Sequence, residues 1–332
     1  MSKNASTNRS GARLEARALW FPEAGRCALL SEDLAGPGAD EALVETLFSG
    51  ISRGTENLVF SGKVPDSERQ RMRGPNMAGD FSFPVKYGYA AVGRVREGPE
   101  ELIGRHVFCL HPHQDWFVAP AAMLSPLPSG LPPARAVLAA NMETALNIVW
   151  DAGIQPGDTV AVFGAGTVGA LVAFLAASIP ATETTLIDPN AKRATLGERL
   201  GLSFSASRYE GPFDVAINVS GSDKALATAI EAAGKQARIV EASWHGSGKA
   251  SIPLGGAFHA QRLEIVSSQV GSLPANHRAR WTFARRMGKA LQLLADDRLD
   301  ALISGDTSFE EIEAAYPGIL SSPDTLCHRI RY

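Results

Sequence analysis

The run TVAVFGAGTVGALVAFLA, residues 159–176, constrains this chain more tightly than any other stretch. Thr159–Phe163 is a short apolar, β-branched run of the kind that fills a buried strand. Gly164, Gly166 and Gly169 follow it in G-x-G-x-x-G spacing and open a helix that starts at Thr167. Alone, that spacing is weak; the strand before it and the helix after it supply the required context. Gly164 permits a tight turn, Gly166 lets backbone approach a pyrophosphate, and Gly169 lets helix and strand pack closely. The next strand, TTLID, ends on Asp188, 24 positions after Gly164. The pattern predicts a dinucleotide site with Gly164, Ala165, Gly166, Thr167, Val168 and Gly169 along the phosphates, where the helix N-terminus offers unpaired N–H groups.

Asp188 selects between cofactors. Its carboxylate can accept hydrogen bonds from the adenosine ribose hydroxyls, whereas a 2′-phosphate beside it would be repelled by several kcal/mol at ~4 Å and an effective dielectric of ~20. NAD is therefore expected ahead of NADP. Lys192 and Arg193 follow closely and read as solvated positions on the next helix, with Arg193 also a candidate cofactor contact. Ser220, after the strand FDVAINV, Thr144 in ETALNIV, and Arg53 complete the expected cofactor set.

Beyond Pro156-Gly157-Asp158, strands alternate with helices, the signature of a parallel sheet with crossover helices. The first ~145 residues differ: short apolar stretches such as ARALWFP, ALVETLF and HVFCLHP are broken by Gly, Pro and Asp, a β texture. The fold class is thus α/β, a doubly wound Rossmann sheet joined to a β-rich domain. The 332 residues suffice for about two domains. A formal charge of −3 gives no electrostatic reason to expect nucleic acid or an anionic membrane. Cys27, Cys109 and Cys327 are far apart and form no C-x-x-C pair, which fits a reducing cytoplasm. No apolar run reaches the ~18 residues of a membrane span. MSKNASTNRSGAR lacks the apolar segment of a secretory signal, and residues 1–12 are expected to be disordered.

ETLFSGIS, YGYAAVGRV, ETALNIV and IDPNAKRATLGERLG together resemble the medium-chain dehydrogenase/reductase (zinc-type alcohol dehydrogenase-like) superfamily over nearly the whole chain. SGISRGTE with FPVKYGYAAVG is similar to the branch of bacteriochlorophyllide hydroxyethyl dehydrogenases. The resemblance implies a GroES-like β-barrel catalytic domain over 1–147, an NAD-binding Rossmann domain over 148–277, and a return to the catalytic domain over 278–332. It also implies a small-molecule substrate, hydride transfer between an alcohol and a carbonyl, and a homodimer. In that dimer the sheets would join along RLEIVSSQVG, residues 262–271, whose edge would otherwise expose unpaired backbone groups.

The departures from the family concern zinc. Its ligand positions fall on Ser52, on Tyr89 with Ala90, and on Ala140, or Asn141 if the register slips by one. Hydroxyl and methyl groups do not replace thiolate and imidazole at neutral pH, so no catalytic zinc is expected. Oxygen polarisation then needs another donor. Tyr89 either supplies it or fills the space left by histidine and metal. Ser52 and Thr55 either orient an oxygen or cap the backbone. Glu56 is a base or, more plainly, the ion-pair partner of Arg53 at the cleft. His111 and His113 in CLHPHQDWF, with Cys109, could chelate a metal, line the pocket or stand exposed in a loop. Arg69, Arg71 and Arg73 could cover the cleft and recognise an anionic substrate, or form a solvated basic loop. Arg278, Arg280, Arg285 and Arg286 read as a solvated helix face or a subunit contact. The rival activities are an NAD(P)H quinone or enone reductase and a catalytically silent NAD(H)-binding sensor or assembly protein.

Overall fold

Six parallel strands cross one sheet in the order Ser203–Ser205, Glu183–Ile187, Thr159–Phe163, Phe213–Asn218, Ala233–Glu241 and Glu264–Ser267. The computed structural model describes residues 14–206 and 211–332, so the expected disordered lead-in over 1–12 lies outside the described residues. Thr159–Phe163 lies inside this sheet, which explains its unbroken apolar run. Val160 and Val162 pack with the helix Thr167–Ala177 in one core cluster. Ala161 and Phe163 face the other way, onto the helix Asp223–Ala232. Strand order reverses between Thr159–Phe163 and Phe213–Asn218, and a crevice opens beyond their carboxyl ends, where such sheets hold ligands.

The remaining strands build a separate mixed sheet. Its order is Ile303–Ser308, Cys327–Arg331, Glu41–Ser52, Ala91–Glu97, His106–Cys109 and Ser125–Pro126, with Trp116–Pro120 also paired to Glu41–Ser52. The chain end thus returns to the sheet formed by the first third of the sequence: Cys327 lies opposite Ser52, and Arg331 opposite Phe48. A four-stranded sheet runs Arg26–Leu34, Leu14–Glu23, Val85–Lys86 and Ala78–Gly79. Backbone bonds connect the two sheets, among them Leu19 N–H to the His113 carbonyl at 2.9 Å.

The polar cluster at the end of the strand Glu41–Ser52 opens a helix, Arg53–Phe60, directly. The stretch carrying Arg278, Arg280, Arg285 and Arg286 is helical only over Phe283–Leu293, because Thr282 caps that helix by accepting from the Arg285 N–H. The basic patch is not one solvated face, since Arg286 points inward and is 2% exposed while Arg278, Arg280 and Arg285 are exposed. Arg286 pairs with Glu143 at 3.0 Å and donates to the Val270 carbonyl at 2.6 Å. The Glu143 pair fastens the helix Phe283–Leu293 to Ala139–Ala152. The strand expected over 262–271 is the four-residue edge strand Glu264–Ser267. Among the described residues, no helix is long and apolar enough to cross a membrane.

Candidate active site

The helix Arg53–Phe60 fixes the first wall of the site. Its N-cap, Ser52, makes no side-chain cap bond, which leaves the hydroxyl free to face the cleft. Instead Glu56, 0% exposed, reaches back and accepts the Ser52 backbone N–H at 2.7 Å. Its other oxygen accepts from the Tyr316 hydroxyl at 2.6 Å and bonds His113 Nε2 at 3.0 Å. His113 Nδ1 meets Ser49 Oγ at 2.8 Å, and Ser49 meets the Tyr332 hydroxyl at 2.9 Å. A carboxylate beside Nε2 fits the tautomer with its proton there, leaving Nδ1 to accept from Ser49.

This network corrects two expectations. Glu56 is not the partner of Arg53 at the cleft, and His113 does not line the pocket. Both are buried behind Ser52. His111 is not an exposed loop histidine either; it stacks on Phe117 at 4.0 Å with Nδ1 against the Pro112 carbonyl at 3.0 Å. Burial pushes its pKa down to about 3, so it is neutral.

Tyr89 enters from the second wall. Gly88 before it has φ +128°, and a Cβ there would lie 3.0 Å from the His113 ring, so the chain can pass only as glycine. Burial pushes the Tyr89 phenol up to about 12, reinforced by the Glu56 charge and opposed by hydrogen bonding with Ser52 and Thr55. The phenol is therefore protonated at neutral pH. The third wall is the helix Ala139–Ala152, which presents Asn141, 5% exposed, with Nδ2 3.4 Å from Ser52 Oγ. The register thus favours Asn141 over Ala140 as the cleft residue. Two hydroxyls and an amide thus meet here, Ser52 hydrogen-bonding both Tyr89 and Asn141. Such donors do not fit zinc. Among the described residues, no three His, Cys, Asp or Glu side chains converge as a metal site.

Ser52, Thr55, Tyr89 and Asn141 line a cavity of about 380 Å³ together with Thr144, Gly166, Thr167, Val168 and Gly169. A second cavity of about 690 Å³ is lined by Gly164, Asp188, Asn190 and Arg193. Arg53, Gly166 and Ser220 line both, so the two open into one crevice along the strand ends. The glycines divide their work. A Cβ on Gly164, φ +106°, would come 2.9 Å from the Ser220 backbone, and one on Gly169 would come 1.8 Å from the Gly164 carbonyl. A Cβ on Gly166 meets nothing within 4 Å; only open crevice lies there. That empty cradle at a helix N-terminus fits a pyrophosphate. Ala165 is fully buried and contributes through its N–H, which donates to Asp188 Oδ2 at 2.8 Å. Asn190 N–H donates to Oδ1 at 2.8 Å. A carboxylate keeps further lone pairs after two such bonds, enough for ribose hydroxyls.

Arg193 is not a solvated helix position: it is 9% exposed, and one of its N–H groups donates to the Pro323 carbonyl at 2.8 Å. Lys192 is exposed and pairs with Asp324 at 3.1 Å. Arg69, Arg71 and Arg73 line neither cavity; Arg69 pairs with Asp66 at 2.8 Å and Arg71 with Glu68 at 2.6 Å. Trp244, Leu58, Thr325 and Leu326 also line the smaller cavity and were missed. Trp244 had a signal, its place just past the end of a parallel strand. Thr325 and Leu326 had none, since they arrive with the returning C-terminus.

No known family profile matches the chain. It is 27% identical over 141 residues to an aliphatic (R)-hydroxynitrile lyase of Linum usitatissimum, a match covering 40% of this chain and 33% of that protein. The chain therefore spans about a third of the length of the curated relative it matches. In structure it is similar to a short chain alcohol dehydrogenase of E. coli CFT073 complexed with NADH, with TM-score 0.76, 16% identity, and 96% and 99% of the two chains covered. A protein of Sinorhizobium meliloti 1021, described as a zinc-binding dehydrogenase and bound to NADP, gives TM-score 0.76, 19% identity and coverage of 96% and 100%. These likenesses define the fold: a Rossmann-type parallel sheet with a separate mixed-sheet domain, shared with these dehydrogenase structures.

Proposed function

We propose that this protein is a zinc-independent, NAD(H)-dependent oxidoreductase that interconverts an alcohol and a carbonyl. One observation carries the reading: the hydroxyl and amide donors Tyr89, Ser52, Thr55 and Asn141 share a cavity with the open glycine cradle at Gly166. When bound, the dinucleotide supplies a hydride to a carbonyl carbon or takes one from an alcohol carbon. The chain's task is to bind it, orient the substrate oxygen and stabilise charge there. Tyr89, protonated at neutral pH, serves as a hydrogen-bond donor to that oxygen rather than as a base. Ser52 and Thr55 set the phenol's direction, while Glu56 and His113 hold the turn beneath them.

In this reading, residues 1–147 and 278–332 form the substrate side and 148–277 the cofactor side. NAD is preferred over NADP because Asp188 faces the larger cavity while Lys192 is tied to Asp324. Copies pair along the edge strand Glu264–Ser267, and the protein works in the cytoplasm. The test is NADH binding by fluorescence, followed by NADH oxidation across simple ketones, aldehydes and enones. Turnover of ketones or aldehydes supports the reading. Turnover of enones alone would make it a conjugated-carbonyl reductase, and binding without turnover would make it a nucleotide-binding protein.

A further inference from the structure

Three features of the smaller cavity bear on what enters it. The first is charge. Among the described residues, Arg53 is the one charged side chain lining that cavity, and it stands where the two cavities meet, so it also lines the cofactor side next to Arg193. The rest of that lining is neutral, so a charge laid against Trp244, Leu58 or Asn141 would lose its water without gaining an opposite charge there.

The second feature is Trp244. It follows the strand Ala233–Glu241 of the cofactor sheet, yet it packs against the apolar cluster holding Val59, Phe60 and Val64 on the other side of the crevice. The chain behind it is fixed there too. A Cβ on Gly246, φ +60°, would lie 3.0 Å from the Lys63 carbonyl and 3.2 Å from Leu58 Cδ2. Trp244 and Leu58 both line the cavity, apolar groups brought to it from both halves of the molecule. The third feature is Asn141. Its amide carries two N–H donors, and the contact to Ser52 Oγ at 3.4 Å uses only one of them.

We infer that the cleft takes an uncharged alcohol or carbonyl compound, its oxygen held between Tyr89 and Asn141 and its apolar body laid against Trp244 and Leu58. The inference rests on the oxidoreductase reading above. Tyr89 and Asn141 approach from different walls, so together they define where the oxygen sits. An amide N–H donates without surrendering a proton, which suits a group that stabilises charge in both directions of the reaction.

The test uses the full chain saturated with NADH and two unreactive carbonyl compounds of similar size, neutral isobutyramide and anionic malonamate. Binding is read from NADH fluorescence. Isobutyramide should bind at least about tenfold more tightly than malonamate, since a site built for one set of polar contacts rejects a misfitted partner by at least that factor. Asn141→Ala and Trp244→Ala should each weaken isobutyramide about tenfold with NADH affinity unchanged, and Trp244→Phe should recover most of the loss. Malonamate binding as tightly as isobutyramide would overturn the inference, as would variants indistinguishable from the unmutated protein. NADH binding with no response to either amide would overturn it while leaving the oxidoreductase reading in place. Failure to bind NADH would remove that reading and the inference together.

Discussion

Glu56 accepts the backbone N–H of Ser52 at 2.7 Å from a position with no solvent exposure. A fully buried carboxylate thus holds the turn that presents the Ser52 and Thr55 hydroxyls, and its second oxygen ties that turn to Tyr316 in the returning C-terminal segment. Removing it strands three donors at once. Glu56→Ala should therefore cost about 3–5 kcal/mol of stability, the usual range for breaking a buried hydrogen-bonded charge. Glu56→Gln, which can still accept from Ser52, should cost clearly less. Urea unfolding of the three proteins side by side checks this; an unchanged midpoint for the alanine variant would show that the network contributes nothing.

The glycines separate binding from folding. Gly166→Ala places a methyl in open crevice and should leave the unfolding temperature unchanged while NADH affinity falls. Gly169→Ala drives a methyl into the Gly164 carbonyl, 1.8 Å away, and should lower the unfolding temperature as well. Equal thermal loss in both variants would contradict this division of roles.

Tyr89→Phe removes the phenol and keeps the ring. Losing one such donor typically lowers turnover by ~10²-fold. NADH affinity should be unaffected, since the phenol faces the substrate end. Full activity on an identified substrate would reduce Tyr89 to a packing residue and direct mutagenesis to Thr55 and Asn141.

NADH should bind more tightly than NADPH, and Asp188→Ala should narrow the gap. Because Asp188 also holds the glycine loop through Ala165, the same substitution should weaken NADH itself. Titration of both cofactors against both proteins decides the matter, and a preference for NADPH in the unmutated protein would refute the role given to Asp188.

His111 makes the fold acid-sensitive. Burial holds its pKa down to about 3, against about 6.5 when unfolded, with the bond to the Pro112 carbonyl opposing the effect and the Lys86 charge adding to it. Between these values the unfolded chain binds the extra proton, so this contribution is full above about pH 6.5 and is lost as pH falls toward 3. The slope from one such group approaches about 1.4 kcal/mol per pH unit. His111→Phe, which keeps a ring against Phe117, should flatten the decline in urea midpoint between neutral and mildly acid pH.

The sequence alone determined those features that local chemistry dictates. The parallel sheet follows from alternating strand and helix patterns, and the dinucleotide crevice from a glycine spacing that can be read within about thirty residues. The placement of Asp188 at a strand end follows in the same way. That Ser52 and Tyr89 carry hydroxyls, which do not suit zinc, is legible too, because it concerns which atoms the side chains carry. Tertiary structure alone decided which polar residues face the cleft. Ser52 and Glu56 sit four positions apart on one turn, yet one lines the cavity and the other is sealed behind it against His113 and Tyr316. Asn141, Trp244 and Leu326 reach the same cavity from three distant segments. Arg286, which reads as one more charge on a basic helix, is buried because Glu143 and Val270 meet it from elsewhere in the chain. Burial and pairing depend on contacts between remote segments, and no local pattern carries those contacts.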